Sequence, residues 1–410
     1  MSEAPLYGYR ILDLTDEKGY LCGKILADIG ADVIKIEPPE GDPGRNIGPF
    51  FHDIPDKEKS LYWFAYNINK RGITLNLITK DGIAIFKKLA KDADCIIESY
   101  RPGYMEELGL GYETLKQLNP EVILTSITPF GQDGPYKNYQ ATDATIMALS
   151  GLVFSCGDAD RPPCGSSVIQ AYLHGGLHAA AATMIAIWHK EMTGEGQCID
   201  VSIQEAVYCT SIPHRQQWEI GNALVSRGAR TRRGNVVVRA VWPCKDGYVT
   251  WRMTPGLTGH RVRYLVEWMA EENMAGDLIE INWKEVDVLK VSQESIDLWE
   301  DTWINFFKSH TRAELYEGAL KRGVQLFPVS TSADLLDDSQ LLARDFFSDV
   351  EHDELGTALK YPGAAYISTE IHPRTSFRAP LIGEHNKEIY GKDLGFSQEK
   401  LVILKTNNVI

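Results

Sequence analysis

Long apolar runs are missing from this chain. No stretch of ~18 uncharged apolar residues occurs, which argues against a transmembrane helix. The opening residues, MSEAPLYGYRILDLT, lack a basic segment followed by an apolar one, so no signal peptide is read there. Basic residues are in deficit: 42 Lys and Arg face 56 Asp and Glu, and the net charge of −14 disfavours loose binding to nucleic acid or an anionic membrane. An anionic ligand would need a local basic pocket set against that background. The seven cysteines (Cys22, Cys95, Cys156, Cys164, Cys198, Cys209, Cys244) are odd in number, scattered, and never in a CxxC arrangement. That speaks against a zinc site and for a reduced, cytoplasmic protein. A GxGxxG turn is also absent after the first strand, so no dinucleotide site is read.

What is present suits a large α/β protein. Tyr9 to Leu14 reads as a strand, Cys22 to Ile29 as a helix and Asp32 to Glu37 as a second strand. This strand–helix–strand unit predicts a parallel, Rossmann-like sheet. Asn69 to Leu75 leads into a further strand, and strands at Asp94 to Glu98 and Pro120 to Ser126, with a helix over Asp81 to Ala90, continue the alternation. The run from Gln170 to Glu191 is rich in alanine, glycine and isoleucine and reads as a buried helix. Thr193-Gly194-Glu195-Gly196 breaks it, with glycines where a helix end and tight turn call for positive φ. Gln197 to Ser202 is then a strand, and a further helix starts at Ile203. A strand pair over Val236 to Trp242 and Gly247 to Met253, followed by helices rich in Trp, Glu and Lys, marks a smaller α+β domain. The expected division is 1–225 as the large domain, 226–325 as the small one, and 326–410 as a segment returning to the large domain.

The segment TGEGQCIDVSIQEA, residues 193–206, resembles the signature of the family III CoA-transferases, which include formyl-CoA and carnitine CoA-transferases and the α-methylacyl-CoA racemases. Tyr100 to Leu110, the turn Pro129 to Tyr136, Val324 to Val329, Leu341 to Phe347 and Arg378 to His385 carry the same resemblance along nearly the whole chain. It implies a Rossmann-like large domain, a smaller α+β domain and an interlocked, ring-like dimer. It also implies no separate cofactor, with coenzyme A or acyl-CoA as substrate. Members move CoA from an acyl-CoA to a free acid through an aspartate that attacks the thioester. By the resemblance, the CoA site would use Leu75, Ser99, Tyr100, Arg101 and Met105.

Several functional positions depart from the family pattern. The nucleophile's position, at the entrance to the helix before the TGxGQ turn, falls on Tyr172, and no Asp occurs between Arg161 and Gln197. A phenol with a pKa of ~10 is mostly neutral at neutral pH and offers no acyl-exchange chemistry. The lysine and arginine that meet the nucleotide phosphates in the family correspond here to Ile78 and Glu107, with Lys80 or Arg101 as available substitutes. The racemase His–Asp pair corresponds to Thr142 and Asp143, so the base is missing and racemisation is disfavoured. The loop after the first strand reads Thr15-Asp16-Glu17-Lys18-Gly19, where the family has Gly-Pro.

Other chemistry-bearing groups have plain structural readings beside the functional ones. His174 and His178 share a helix face but lack a third ligand nearby in sequence. Asp158 and Asp160 suit a solvated turn, and Arg230, Arg232 and Arg233 suit either an anion patch or a solvated loop. Three readings follow. The leading one is a catalytically silent subunit whose partner is a homologous CoA-transferase subunit carrying the catalytic Asp. The second is an active homodimer with a relocated carboxylate, such as Asp143 or Glu205. The third is a non-enzymatic acyl-CoA-binding protein.

Overall fold

The structure is a computed structural model that describes residues 4–157, 161–222, 224, 230–233 (backbone only), 236–371, 373 and 377–410. Asp158 and Asp160 therefore lie outside the described residues. The chain divides into two compact units: residues 1–152, 166–212 and 340–410 form the first, and residues 153–165 and 213–339 the second.

The first unit is built on six strands: β1 (Arg10–Leu14), β2 (Asp32–Glu37), β3 (Arg71–Thr74), β4 (Cys95–Glu98), β5 (Ile123–Thr128) and β6 (Cys198–Ser202). They pair in the order β3-β2-β1-β4-β5-β6, and every pairing is parallel. All of β4 and β5 is buried, as expected of strands covered on both faces. The helices α1 (Tyr20–Asp28), α2 (Leu61–Asn67), α3 (Lys80–Lys91), α4 (Tyr104–Glu107), α5 (Tyr112–Leu118) and α6 (Asp143–Leu149) supply the covering layers. The strand order reverses direction at β1, between its neighbours β2 and β4. In a doubly wound sheet, this is where a crevice opens beyond the carboxyl ends of the strands.

The longest helix, α7 (Ala171–Thr193), follows, and a short α8 (Ile203–Tyr208) comes after β6. Close approach explains the glycines of α7. A Cβ at Gly175 would stand 2.8 Å from Ile203 Cγ1, and one at Gly176 would stand 2.9 Å from Leu21 Cβ in α1. Thr183 Oγ1 meets Thr125 Oγ1 of β5 at 2.8 Å, and Lys190 Nζ donates to Asp94 Oδ1 at 2.5 Å. Gly194 ends the helix in the left-handed region with φ +73°. Gly196 serves a different purpose: a Cβ there would lie 2.1 Å from the Val122 carbonyl oxygen. The expectation of a buried helix holds for one face only. Leu177, Ile185, Trp188 and Met192 on the other side are exposed.

Residues 340–410 rejoin this unit. The hairpin strands Phe347–His352 and Thr357–Pro362 bring Val350 and Tyr361 into a cluster with Tyr20, Trp63 and Phe64. In the second unit, Val236 to Trp242 is not one strand. Val236–Arg239 pairs with Arg230–Arg233, whereas Val241–Cys244 forms a hairpin with Gly247–Trp251. Leu326–Pro328 adds a third strand to that hairpin, and the helices Gly259–Glu271, Gln293–Ser309 and Arg312–Arg322 close over Trp242, Trp251, Trp303 and Phe307.

Candidate active site

The carboxyl ends of β1, β2 and β4 carry a buried charge network. Asp13, at the end of β1, is fully buried and accepts from Lys70 Nζ at 2.8 Å and from the Thr15 N–H at 2.9 Å and hydroxyl at 2.7 Å. Burial alone would raise its pKa, but Lys70 and Lys35 more than offset this and hold the carboxylate below its usual range. Lys35 also pairs with Asp42 at 3.2 Å, and Arg45 grips Glu37 through two nitrogens at 2.6 and 2.8 Å. Such pairs leave no buried charge uncompensated and fix the strand ends rigidly. The loop after β1 is tied down as well: the Asp16 N–H donates to Ser99 Oγ at 2.8 Å, and the Ser99 hydroxyl donates back to Asp16 Oδ1 at 2.7 Å.

Beyond these strand ends lies a pocket of about 290 Å³, lined by the ends of β1 and β2, residues 75–78, Ser99, Tyr100 and Tyr104. Of the residues expected at a CoA site, Leu75, Ser99 and Tyr100 line it. Met105 is buried in the core beneath, and Arg101 is an exposed residue ion-paired with Glu107. Neither lines the pocket. Three acids do (Asp16, Glu37 and Asp42), and no Lys or Arg is among the lining residues. The cations that balance these acids, Lys18, Arg45 and Lys35, are already engaged with them. Ile78 stands at the pocket with 82% of its surface exposed, and Lys80 is exposed two residues further on. The pocket keeps the shape of a ligand crevice without a cation placed for a phosphate.

The second part of the site is the start of α7. Asp143, in the first turn of α6, accepts from the backbone N–H groups of Gln170 at 3.0 Å and Tyr172 at 3.1 Å. Two of the helix's otherwise unpartnered donors are thereby satisfied, and the negative charge sits at the positive end of the helix. Tyr172 is 8% exposed. Burial raises its hydroxyl pKa well above the ordinary value, and the charges of Glu17, Asp16 and Asp143 add to this. The phenol therefore keeps its proton and presents no carboxylate. Tyr62 and Tyr66, with ring centroids 5.0 Å apart, are also shifted upwards, first by burial; Tyr66, Glu17, Tyr172 and Asp143 add to this at Tyr62, and Asp143 at Tyr66.

Glu205 is exposed in the first turn of α8, where its N–H donates to Ser202 Oγ at 3.4 Å. His174 is half-buried and its pKa is lowered by burial and by His178. Among the described residues, no cluster of three or more His, Cys, Asp or Glu could hold a metal ion. Arg230, Arg232 and Arg233 form a strand, but their side chains lie outside the described residues. Two acids escaped the sequence reading. Glu17 is half-buried, and burial followed by Asp16 raises its pKa. Glu98 is buried at the end of β4 and pushed up to about 7 by burial, although it accepts from the Tyr100 N–H at 2.7 Å. The only signal for Glu17 was its place in the Asp-Glu-Lys-Gly loop. For Glu98 it was a carboxylate closing an otherwise apolar strand.

A 3-2-1-4-5-6 parallel sheet with a crevice at its reversal, and a long helix presenting its start nearby, defines an α/β ligand-binding enzyme scaffold. The profile of CoA-transferase family III matches residues 6–386, and the chain belongs to that family. It is 35% identical over 382 residues to the succinyl-CoA:(R)-benzylsuccinate CoA-transferase subunit BbsE of Thauera aromatica, covering 93% of this chain and 92% of that one. It is 30% identical over 419 residues to a succinyl-CoA–L-malate CoA-transferase alpha subunit of Chloroflexus aurantiacus, covering 100% of this chain and 93% of that protein. A CAIB/BAIF family protein from Brucella suis superposes with a TM-score of 0.83 at 26% identity, over 95% of this chain and 100% of that one. Family III enzymes take CoA thioesters as substrates and use no separate cofactor.

Proposed function

We propose that this chain is the non-nucleophilic subunit of a two-subunit CoA-transferase, working in the cytoplasm. A homologous subunit supplies the aspartate that accepts the acyl group. The reaction moves CoA from a donor such as succinyl-CoA to a free carboxylic acid, and the acceptor in the BbsE relative's name, benzylsuccinate, is the first to try. The observation that carries this reading is Tyr172: a neutral, buried phenol occupies the helix start where the chemistry needs a carboxylate. Two further observations support it. The pocket offers no free cation to a phosphate. The outer face of α7 exposes Leu177, Ile185, Trp188 and Met192 at 50–69% of their surface, a stripe suited to a covering partner.

The test is to purify the chain alone and together with a homologue that has Asp at the position of Tyr172, then assay transfer from succinyl-CoA to a panel of acids. Activity confined to the mixture is the expected result. Full activity of the lone chain would sink the proposal.

A second reading is favoured by Glu17, a half-buried carboxyl whose charge acts on Tyr172. On that reading the chain turns over by itself, with Glu17 as the acyl acceptor. Hydroxylamine trapping separates the two: a hydroxamate at Glu17 supports the second reading, and one on the homologue's Asp supports the first.

A further inference from the structure

Cys156 and Cys164 flank a short excursion of the chain between α6 and α7. The Cys164 N–H donates to the Cys156 carbonyl at 3.3 Å, which brings the backbones of the two cysteines together. The bond is single, because the Cys156 N–H donates to the Val153 carbonyl at 3.0 Å, but the bond lengths on either side of it still hold the two Cα atoms within about 7 Å of each other. A disulfide spans ~4.4–6.8 Å between Cα atoms. The intervening Gly157 has φ +93°, and a Cβ built on it would come within 3.0 Å of Cys164 Sγ. That sulfur therefore packs over the backbone adjoining Cys156 rather than pointing away from it, and glycine leaves the room it needs. Both cysteines are thiols in the structure, with Cys156 half-buried and Cys164 exposed to small reagents.

The remaining cysteines differ in ways that make this pair selective. Cys22, Cys95 and Cys244 are buried, and burial raises all three thiols. Cys198 is exposed in β6, yet its thiol is pushed up to about 11 by partial burial and by Asp200. Raised thiol pKa values mean little thiolate, and thiolate is the species that exchanges. Cys209 is exposed, but it is separated in sequence from both members of the pair.

We propose that Cys156 and Cys164 are a modification site: a dithiol that closes to a disulfide by exchange with a low-molecular-weight disulfide such as oxidised glutathione. The exposed Cys164 thiolate attacks one sulfur of oxidised glutathione and expels a glutathione thiolate. The Cys156 thiolate then attacks Cys164 Sγ and expels the second. Two protein thiols are oxidised by two electrons, one glutathione disulfide is reduced to two glutathione molecules, and the two thiol protons end on the two leaving thiolates. The new bond staples the loop that precedes α7, the helix bearing Tyr172.

The experiment uses the full chain equilibrated in a series of glutathione redox buffers, quenched with acid, alkylated and digested by a protease that cuts before Asp. Such a protease separates the two cysteines at Asp158 and Asp160. The expected product is a cross-linked pair of peptides holding Cys156 and Cys164, reversed by dithiothreitol. In Cys156→Ser the exchange should stop at a glutathione adduct on Cys164. Hydrogen exchange across residues 153–165 should slow in the oxidised protein. Three results would overturn the proposal: a stable glutathione adduct on Cys164 in the unmutated chain, pairing of Cys164 with Cys198 or Cys209, or full alkylation of both thiols in the most oxidising buffer.

Discussion

The inward and outward faces of α7 obey opposite rules. Inward, the helix uses Ala171, Gly175, Gly176, Ala179 and Ala180, small residues that let α1 and α8 approach to backbone distance. Outward, it carries Leu177, Ile185, Trp188 and Met192, large apolar residues with no cover in the isolated chain. A helix that is apolar on all sides is expected to be enclosed on all sides. The inner face satisfies that within the chain, and the outer face leaves it unmet. The inner face thus specifies the fold, while the outer face fits an assembly.

The largest expected effect comes from breaking the inner face. Gly176→Val places a branched side chain where even a Cβ would be 2.9 Å from Leu21 Cβ and 3.3 Å from the Cys22 nitrogen. Denaturant unfolding should show a loss of about 1–3 kcal/mol or more, as overpacking generally costs. An unchanged midpoint would mean that α1 and α7 are not packed as described.

An intermediate effect belongs to the sheet that α7 crosses, where Glu98 titrates from a pKa pushed up to about 7 against an ordinary 4.5. Its folded-state pKa lies above its unfolded value, so the folded protein binds more protons between these two values. Stability is then fullest below pH 4.5 and declines as pH rises towards 7, with a slope of up to about 1.4 kcal/mol per pH unit. Glu98→Gln should remove this contribution and flatten the unfolding midpoint across that window. Identical pH profiles for the two proteins would refute the assignment.

The smallest effect on the chain itself should come from the outer face. Trp188→Asp, at a position 67% exposed, should leave the lone chain's stability within about ±0.5 kcal/mol. Binding to the proposed homologous subunit should weaken by about 30-fold, the ~2 kcal/mol typical of a buried aromatic anchor. A destabilised monomer with intact pairing would invert the comparison between the faces.

Much of the architecture was legible in the sequence. Asp32–Glu37 is a strand from end to end as the apolar pattern predicts, and β1, β4, β6 and α3 match to within a residue or two. The break at Ala240, which divides one expected strand into two with different partners, was not legible. Local pattern does not encode which neighbour a residue pairs with. At the site, the lack of an aspartate between Arg161 and Gln197 was visible because the glycine turn that follows is a recognisable landmark. The role of Asp143 is not visible in the sequence, which admits it as a relocated catalytic carboxylate; in the fold it caps α7, 27 residues further along the chain.

By itself, then, the sequence determined the alternation of strands and helices, the family, and the absence of an aspartate before the TGxGQ turn. These depend on residues close together along the chain, where periodicity and turn chemistry act. Tertiary structure alone decided which acids are compensated, which face of α7 is covered, and which predicted residues reach the pocket. Asp13 meets Lys70 across 57 positions, and Arg45 reaches the Pro380 carbonyl across 335. Charge compensation and burial depend on distance in space, and only the folded chain sets that distance.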